Sequence, residues 1–159
     1  MELYTDEYFM QQAYKEAQKA YDEGEVPIGA VVVANERIIS RAYNQTEKLN
    51  DTTAHAEMLA ITAASSYLGN KYLKDCVLYV TIEPCVMCGG ASKWSQIGRI
   101  VYGAEDPKFG FMKYGKDLLH PKTKLEFGIL SEKCGSILKQ FFEEKRMLNK
   151  KIVLPDHEV

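Results

Sequence analysis

At 159 residues, with 46% hydrophobic and 26% charged side chains, the chain has the composition of a globular domain long enough to bury a core without cross-links. A net charge of −2 excludes a global attraction for nucleic acid, so any such binding needs a local basic patch. No apolar run approaches the roughly 18 to 20 residues that cross a bilayer. Four cysteines, a Cys-x-x-Cys pair among them, and no signal-like N-terminus point to a reducing cytoplasm rather than a disulfide framework.

No repeat or linker divides the sequence, which reads as one domain over 1–159 with a short tail from about 150. Thr5 is suited to cap a first helix, with Asp6 and Glu7 at its positive end. Phe9, Ala13, Ala17, Ala20 and Tyr21 carry its apolar stripe, and Gly24 suits its stop. Ile28 to Ala34 is a β-branched run typical of a strand buried on both faces, and Asn35-Glu36 turns it into a hairpin partner over Arg37 to Ala42. A loop from Asn44 to Thr53 leads to an Ala-rich helix, Ala54 to Leu68, ended near Gly69. Val77 to Ile82 is a further strand, Cys85 to Ser95 a helix, and Ile100 to Gly103 another core strand. Residues 104 to 123 read as loop with a short helical turn, and Leu125 to Ile129 as a strand. Ser131 caps a last helix, with Ile137, Leu138, Phe141 and Phe142 as its core stripe. Strands alternating with helices predict an α/β fold, a three-layer α/β/α sandwich around a mixed sheet of about five strands.

The chemistry concentrates in His55-Ala56-Glu57 and Pro84-Cys85-Val86-Met87-Cys88. One imidazole and two thiolates suit zinc, and they stop one ligand short of a closed tetrahedral site, as catalytic zinc sites do. The spacing of Cys85 and Cys88 puts both sulfurs on one side of a helix's first turn, where the dipole favours thiolate. His55 and Glu57 converge only if their helix begins close by, with the metal beyond its end. Zinc lowers the pKa of bound water from about 15.7 toward about 7, and Glu57 is the carboxylate left over to move protons. Hydrolysis of a carbon bearing an amino group within an amidine is the matching reaction.

H-x-E followed by P-C-x-x-C is the signature of zinc nucleobase deaminases. The wider sequence resembles the bacterial tRNA-specific adenosine deaminases, through VPIGAVVV (26–33), TAHAEMLAI (53–61), LYVTIEPCVMCGGA (78–91), IGRIVYGAEDPKFG (97–110) and GILSEKC (128–134). The resemblance implies a cytidine deaminase-like sandwich, one Zn2+ per subunit on His55, Cys85 and Cys88, and Glu57 as proton shuttle. It implies a base-reading role for the Asn44 amide, helped by the Ala56 backbone, with the anticodon loop of tRNA as partner. It also implies a homodimer and conversion of wobble adenosine to inosine. The chain departs from the family at Leu118 to Lys124, where an Asn-His-Arg stretch is usual, while Lys108, Phe109, Phe111, Lys113 and Tyr114 occupy a stretch that borders nucleic acid in the family.

Two other readings share these residues. A deaminase of a free base or nucleoside (guanine, cytosine or cytidine) has the same zinc site, and a non-catalytic zinc domain binding RNA or protein would close it. Closure would need Cys76 or Cys134, which sit in a strand start and a helical stripe where thiols act as small hydrophobes. His120 and His157 lack partners at metal spacing and read as surface residues. Lys145, Arg146, Lys150 and Lys151 form a basic cluster that is either a solvated helix end or a phosphate contact. Tyr67, Tyr72 and Tyr79 read as core or interface aromatics, and Trp94 as a packing residue ahead of the alternative, a dimer contact.

Overall fold

The computed structural model describes residues 4–157, with side chains described for 4–150. Helix α1 (Asp6–Asp22) is capped by Thr5, whose hydroxyl accepts the Tyr8 N–H at 3.1 Å. Strands β1 (Gly29–Ala34) and β2 (Arg37–Tyr43) form a hairpin whose turn residues Asn35 and Glu36 both take positive φ, 51° and 63°. That pair of left-handed residues matches the twist of the flanking strands. Then come α2 (Ala56–Leu68), β3 (Cys76–Ile82), α3 (Val86–Ser95) and β4 (Arg99–Ala104), followed by two short 3-10 turns at Phe111–Tyr114 and Lys116–Leu118. Strand β5 (Lys124–Phe127) and helix α4 (Ser131–His157) complete the chain.

The sheet order is β2-β1-β3-β4-β5, with β1 antiparallel to both neighbours and β3, β4 and β5 mutually parallel. Period-two alternation divides the core. Ala30, Val32, Leu78, Val80, Ile100 and Tyr102 face α2 on one side of the sheet. Val31, Val33, Tyr79 and Val101 face Phe9, Met10 and Ala13 of α1 and Cys134 of α4 on the other. Gly29 allows α1 to lie directly on β1, because a Cβ there would collide with the Ala13 carbonyl and the Ala17 nitrogen. At the outer end of this face, Arg99 donates to both carboxylate oxygens of Asp6 at 2.8 and 2.6 Å, and the Tyr79 hydroxyl donates to Asp6 at 2.7 Å.

The α/β/α sandwich agrees with the sequence expectation, with corrections at the helices. Helix α2 begins at Ala56, not Ala54, because His55 is still extended. Ser131 is the first residue of α4 and not its cap; the Leu130 carbonyl accepts the Cys134 N–H at 3.0 Å. That helix also continues past 150 to His157 in place of a tail. Ile137 and Phe141 are buried and Leu138 packs on the core, but Phe142 points outward. Phe111, expected in a loop, is fully buried against Tyr102.

Candidate active site

Antiparallel pairing of β1 brings three chain segments to one end of the sheet. Gly29 pairs with Tyr43 and Ala30 with Val80, so the end of β2, the end of β3 and the end of β4 lie together. His55 and Cys85 are the N-cap residues of α2 and α3, both extended, and neither side chain caps its own helix. Both helices therefore present unpaired N–H groups and positive dipole ends to the same space. The side chains converge there. His55 Nδ1 lies 3.5 Å from Cys85 Sγ and 3.5 Å from Cys88 Sγ. These three are the group among the described residues whose donor atoms lie within 4.8 Å of one another.

That separation can be tested against a metal. Zinc–sulfur bonds of about 2.3 Å and zinc–nitrogen bonds of about 2.05 Å at tetrahedral angles place N and S about 3.6 Å apart. The observed 3.5 Å fits a zinc ion on His55, Cys85 and Cys88. Without the metal, the protons are shared unevenly among the three donors, and zinc binding would displace those on Cys88 and His55. A hydrogen bond from Cys88, then one from His55, brings the Cys85 thiol down to about 4, while Cys88, sharing that bond and buried, is pushed up. His55 is raised by its bond to Cys85 against the opposing effect of burial.

Glu57 stands one residue inside α2 and is buried; desolvation raises its carboxyl to about 7. A buried acid near that value can both take and give a proton at neutral pH. It is not one of the three clustered donors. Asn44, just beyond β2, is 5% exposed, and its Oδ1 is buried with no hydrogen-bond partner among the described residues. Its N–H donates to Ile28 O at 3.1 Å, and the following Gln45 N–H donates to Ala54 O at 3.0 Å, which ties Asn44 to the residues leading into His55. Ala56, the first residue of α2, is fully buried; its N–H has no acceptor within the helix.

The remaining sequence candidates separate from this centre. Cys76 and Cys134 are buried free thiols outside the cluster. His120 accepts the Lys122 N–H on Nδ1 at 3.1 Å, a turn contact. Tyr79 is core, but Tyr67 and Tyr72 are exposed, and Trp94 is 84% exposed. The packing expectation for Trp94 fails because α3 buries Cys88, Gly89, Ser92 and Ser95, leaving the tryptophan on the other side of the helix. Lys145, Arg146 and Lys150 are exposed along α4, whereas the side chains of Lys151 and His157 lie outside the described residues. Two buried acids that hold distant loops are absent from the sequence candidates. Glu83 accepts the Asp106 and Met112 N–H groups, and Glu25 accepts those of Glu47 and Lys48. For Glu83 the signal was its place between an apolar strand and Pro84-Cys85; Glu25 offers none beyond an acid next to Val26-Pro27.

A family model for the cytidine and deoxycytidylate deaminase zinc-binding region matches residues 3–104. The chain is 45% identical over 150 residues to a tRNA-specific adenosine deaminase of Bacillus subtilis, covering 91% of this chain and 93% of the relative. It is 43% identical over 145 residues to that of Aquifex aeolicus, covering 88% and 95%. It is also similar to a solved structure from work on A-to-I editing by tRNA:A34 deaminases at the wobble position of transfer RNA, with TM-score 0.77 and 40% identity, covering 82% of this chain and 98% of that one. With the donor set, the fold and these relatives in agreement, the chain belongs to the cytidine and deoxycytidylate deaminase family and, within it, to the group of tRNA-specific adenosine deaminases.

Proposed function

We infer that this protein hydrolyses adenosine to inosine at the wobble position of a tRNA anticodon loop, using one zinc ion per subunit. The observation that carries the reading is the clustered His55, Cys85 and Cys88 beside a buried Glu57 that stays outside the cluster. Zinc, when bound to those three side chains, supplies Lewis-acid activation of water at neutral pH. Glu57 accepts a proton from the attacking water and returns protons to a purine ring nitrogen and to the departing amino group. The C6–O bond forms as the ring nitrogen is protonated, and the C6–N bond breaks afterwards as the amino group takes up the second proton, so water is consumed and ammonia leaves. The unpartnered Asn44 amide reads the base edge, with the Ala56 N–H beside it. The target base is unstacked to reach this depth.

Polynucleotide as substrate is supported by the relatives' identity over most of the chain and by the exposed Lys108, Phe109, Lys113 and Tyr114 on the segment after β4. Phe111 of that segment serves the core instead. The exposed Lys145, Arg146 and Lys150 supply local positive charge in a chain of net charge −2. A homodimer is supported by the apolar side chains that α2 and α3 leave exposed, Tyr67, Leu68, Val86 and Trp94. A cytoplasmic location accords with a tRNA substrate; among the described residues no helix is long and apolar enough to cross a membrane.

The test is to incubate zinc-loaded protein with an anticodon stem-loop carrying wobble adenosine. Parallel reactions hold free adenine, guanine, cytosine and their nucleosides. Inosine in the RNA is the expected product, and turnover of a free base alone would overturn the reading.

A further inference from the structure

Two buried carboxylates outside the zinc cluster hold the two loops that flank it. Glu25 is 1% exposed and Glu83 7% exposed, and neither pairs with a cation among the described residues. Each is satisfied by backbone N–H groups of a distant loop. Glu25 Oε1 accepts the Glu47 N–H at 3.0 Å and Oε2 the Lys48 N–H at 2.7 Å. These donors lie in the middle of the loop that starts at Asn44 and closes on Ala54 through the Gln45 N–H. Glu83 Oε1 accepts the Asp106 N–H at 3.2 Å and Oε2 the Met112 N–H at 3.1 Å.

The second strap is held from several directions. Pro84 O accepts the Phe111 N–H at 2.9 Å, and Cys85 forms an isolated bridge with Gly110. A Cβ at Gly110 would collide with the Glu83 carboxylate, so the strap closes tightly over it. Asp106 Oδ1 accepts the Lys108 and Phe109 N–H groups, which sets the tip that carries those two exposed side chains. Both loops could find hydrogen bonds in water if they stood away from the body. Burying a carboxylate without a cation is costly, and only charge-assisted bonds to both N–H groups offset it. What the arrangement secures is the position of two segments, one rooted at Asn44 and Ala54 beside His55 and one tied to Pro84 and Cys85.

We propose that Glu25 and Glu83 are positioning residues for substrate, each clamping one wall of the active-site mouth. Glu25 sets the Asn44 loop and Glu83 sets the 106–112 strap; neither touches the reacting atoms. The inference rests on the deaminase reading above. An ionised carboxylate is an acceptor only, so Gln is no mimic here: its NH2 would face one of the two N–H donors.

Glu83→Gln and Glu25→Gln are compared with wild type and with Glu83→Asp on the anticodon stem-loop, measuring kcat, KM, zinc per chain and melting temperature. The expected result is a fall in kcat/KM of about tenfold to a hundredfold carried mainly by KM, with zinc content unchanged and partial rescue by Glu83→Asp. Partial unfolding would lower apparent kcat and leave KM alone. Unchanged KM in both Gln variants, or zinc lost in step with activity, would overturn the proposal. Gly110→Ala supplies a second variant, since its methyl would push the Glu83 carboxylate and the Asp106 carbonyl away from position 110 of the strap while Glu83 keeps its charge, and it is expected to raise KM likewise; an unchanged KM in this variant also counts against the clamp. If wild type ignores the stem-loop and turns over a free base, the substrate reading fails, and the same comparison on that base still decides the clamp.

Discussion

Glu57→Gln keeps the size of the side chain while removing its charge and its capacity to carry a proton. In the metal-free site, burial lifts this carboxyl from the ordinary 4.5 to about 7. A displacement of that size is worth on the order of 3 kcal/mol between the two protonation states. The folded state then binds the proton more tightly than the unfolded chain does. Metal-free wild type therefore loses stability as pH rises from the unfolded value of 4.5 through about 7, and the loss is complete above that. Gln does not titrate, so the metal-free variant is expected to match wild type near the acid end. At about pH 8 it should exceed wild type by on the order of 3 kcal/mol. In the zinc-loaded protein the same variant keeps its metal, because the carboxylate is not one of the three clustered donors. Its turnover is expected to fall by about 10⁴-fold, the upper range for loss of a general acid–base group, since one carboxylate serves both directions of transfer. Urea unfolding of chelated protein at about pH 5 and about pH 8, zinc analysis and stem-loop deamination read the three arms. Near-normal deamination, or a metal-free variant no more stable than wild type at about pH 8, would refute this account of Glu57.

Asn44→Ala removes a buried oxygen that has no partner among the described residues, so it should cost little stability yet lower kcat/KM by about tenfold to a hundredfold with zinc retained. A lowered melting temperature with unaltered kinetics would reverse that assignment. Gly29→Ala drives a methyl into the backbone of α1 at Ala13 and Ala17 and should destabilise by about 1–3 kcal/mol or more, read by thermal unfolding. Asp6 is held below its ordinary 3.8 chiefly by its hydrogen bonds with Arg99. Its stabilisation is present above that value and is lost as pH falls through the lowered folded value. Asp6→Asn should thus melt lower than wild type at neutral pH, with the gap narrowing in acid below 3.8; a gap independent of pH would contradict the pairing.

The features legible in the sequence are those set by neighbouring residues. Thr5, Asn35-Glu36 and Gly69 encode a cap, a tight turn and a helix stop through local backbone preference, and each stands where expected. His55, Glu57, Cys85 and Cys88 fall at helix starts for the same reason, and short spacing with donor chemistry was enough to group them. Which side chains would be buried was a different matter. The apolar period of α4 suggested Phe142 as core, and the helix beside the cysteine motif suggested packing for Trp94, but both face outward, since burial depends on what lies opposite. The helical face of α3 that packs inward is small and polar because Leu118 and Phe111 approach Gly89 closely.

By itself the sequence determined the donor set and the reaction it can support, because ligand identity and first-turn placement are local. Only the tertiary structure decided the depth of Glu57, the isolation of the Asn44 oxygen and the two carboxylate clamps. The clamp bonds join residues 22 to 29 apart in sequence. Contacts of that span follow no helical or strand period; they exist because an antiparallel β1 folds three separate segments onto one end of the sheet.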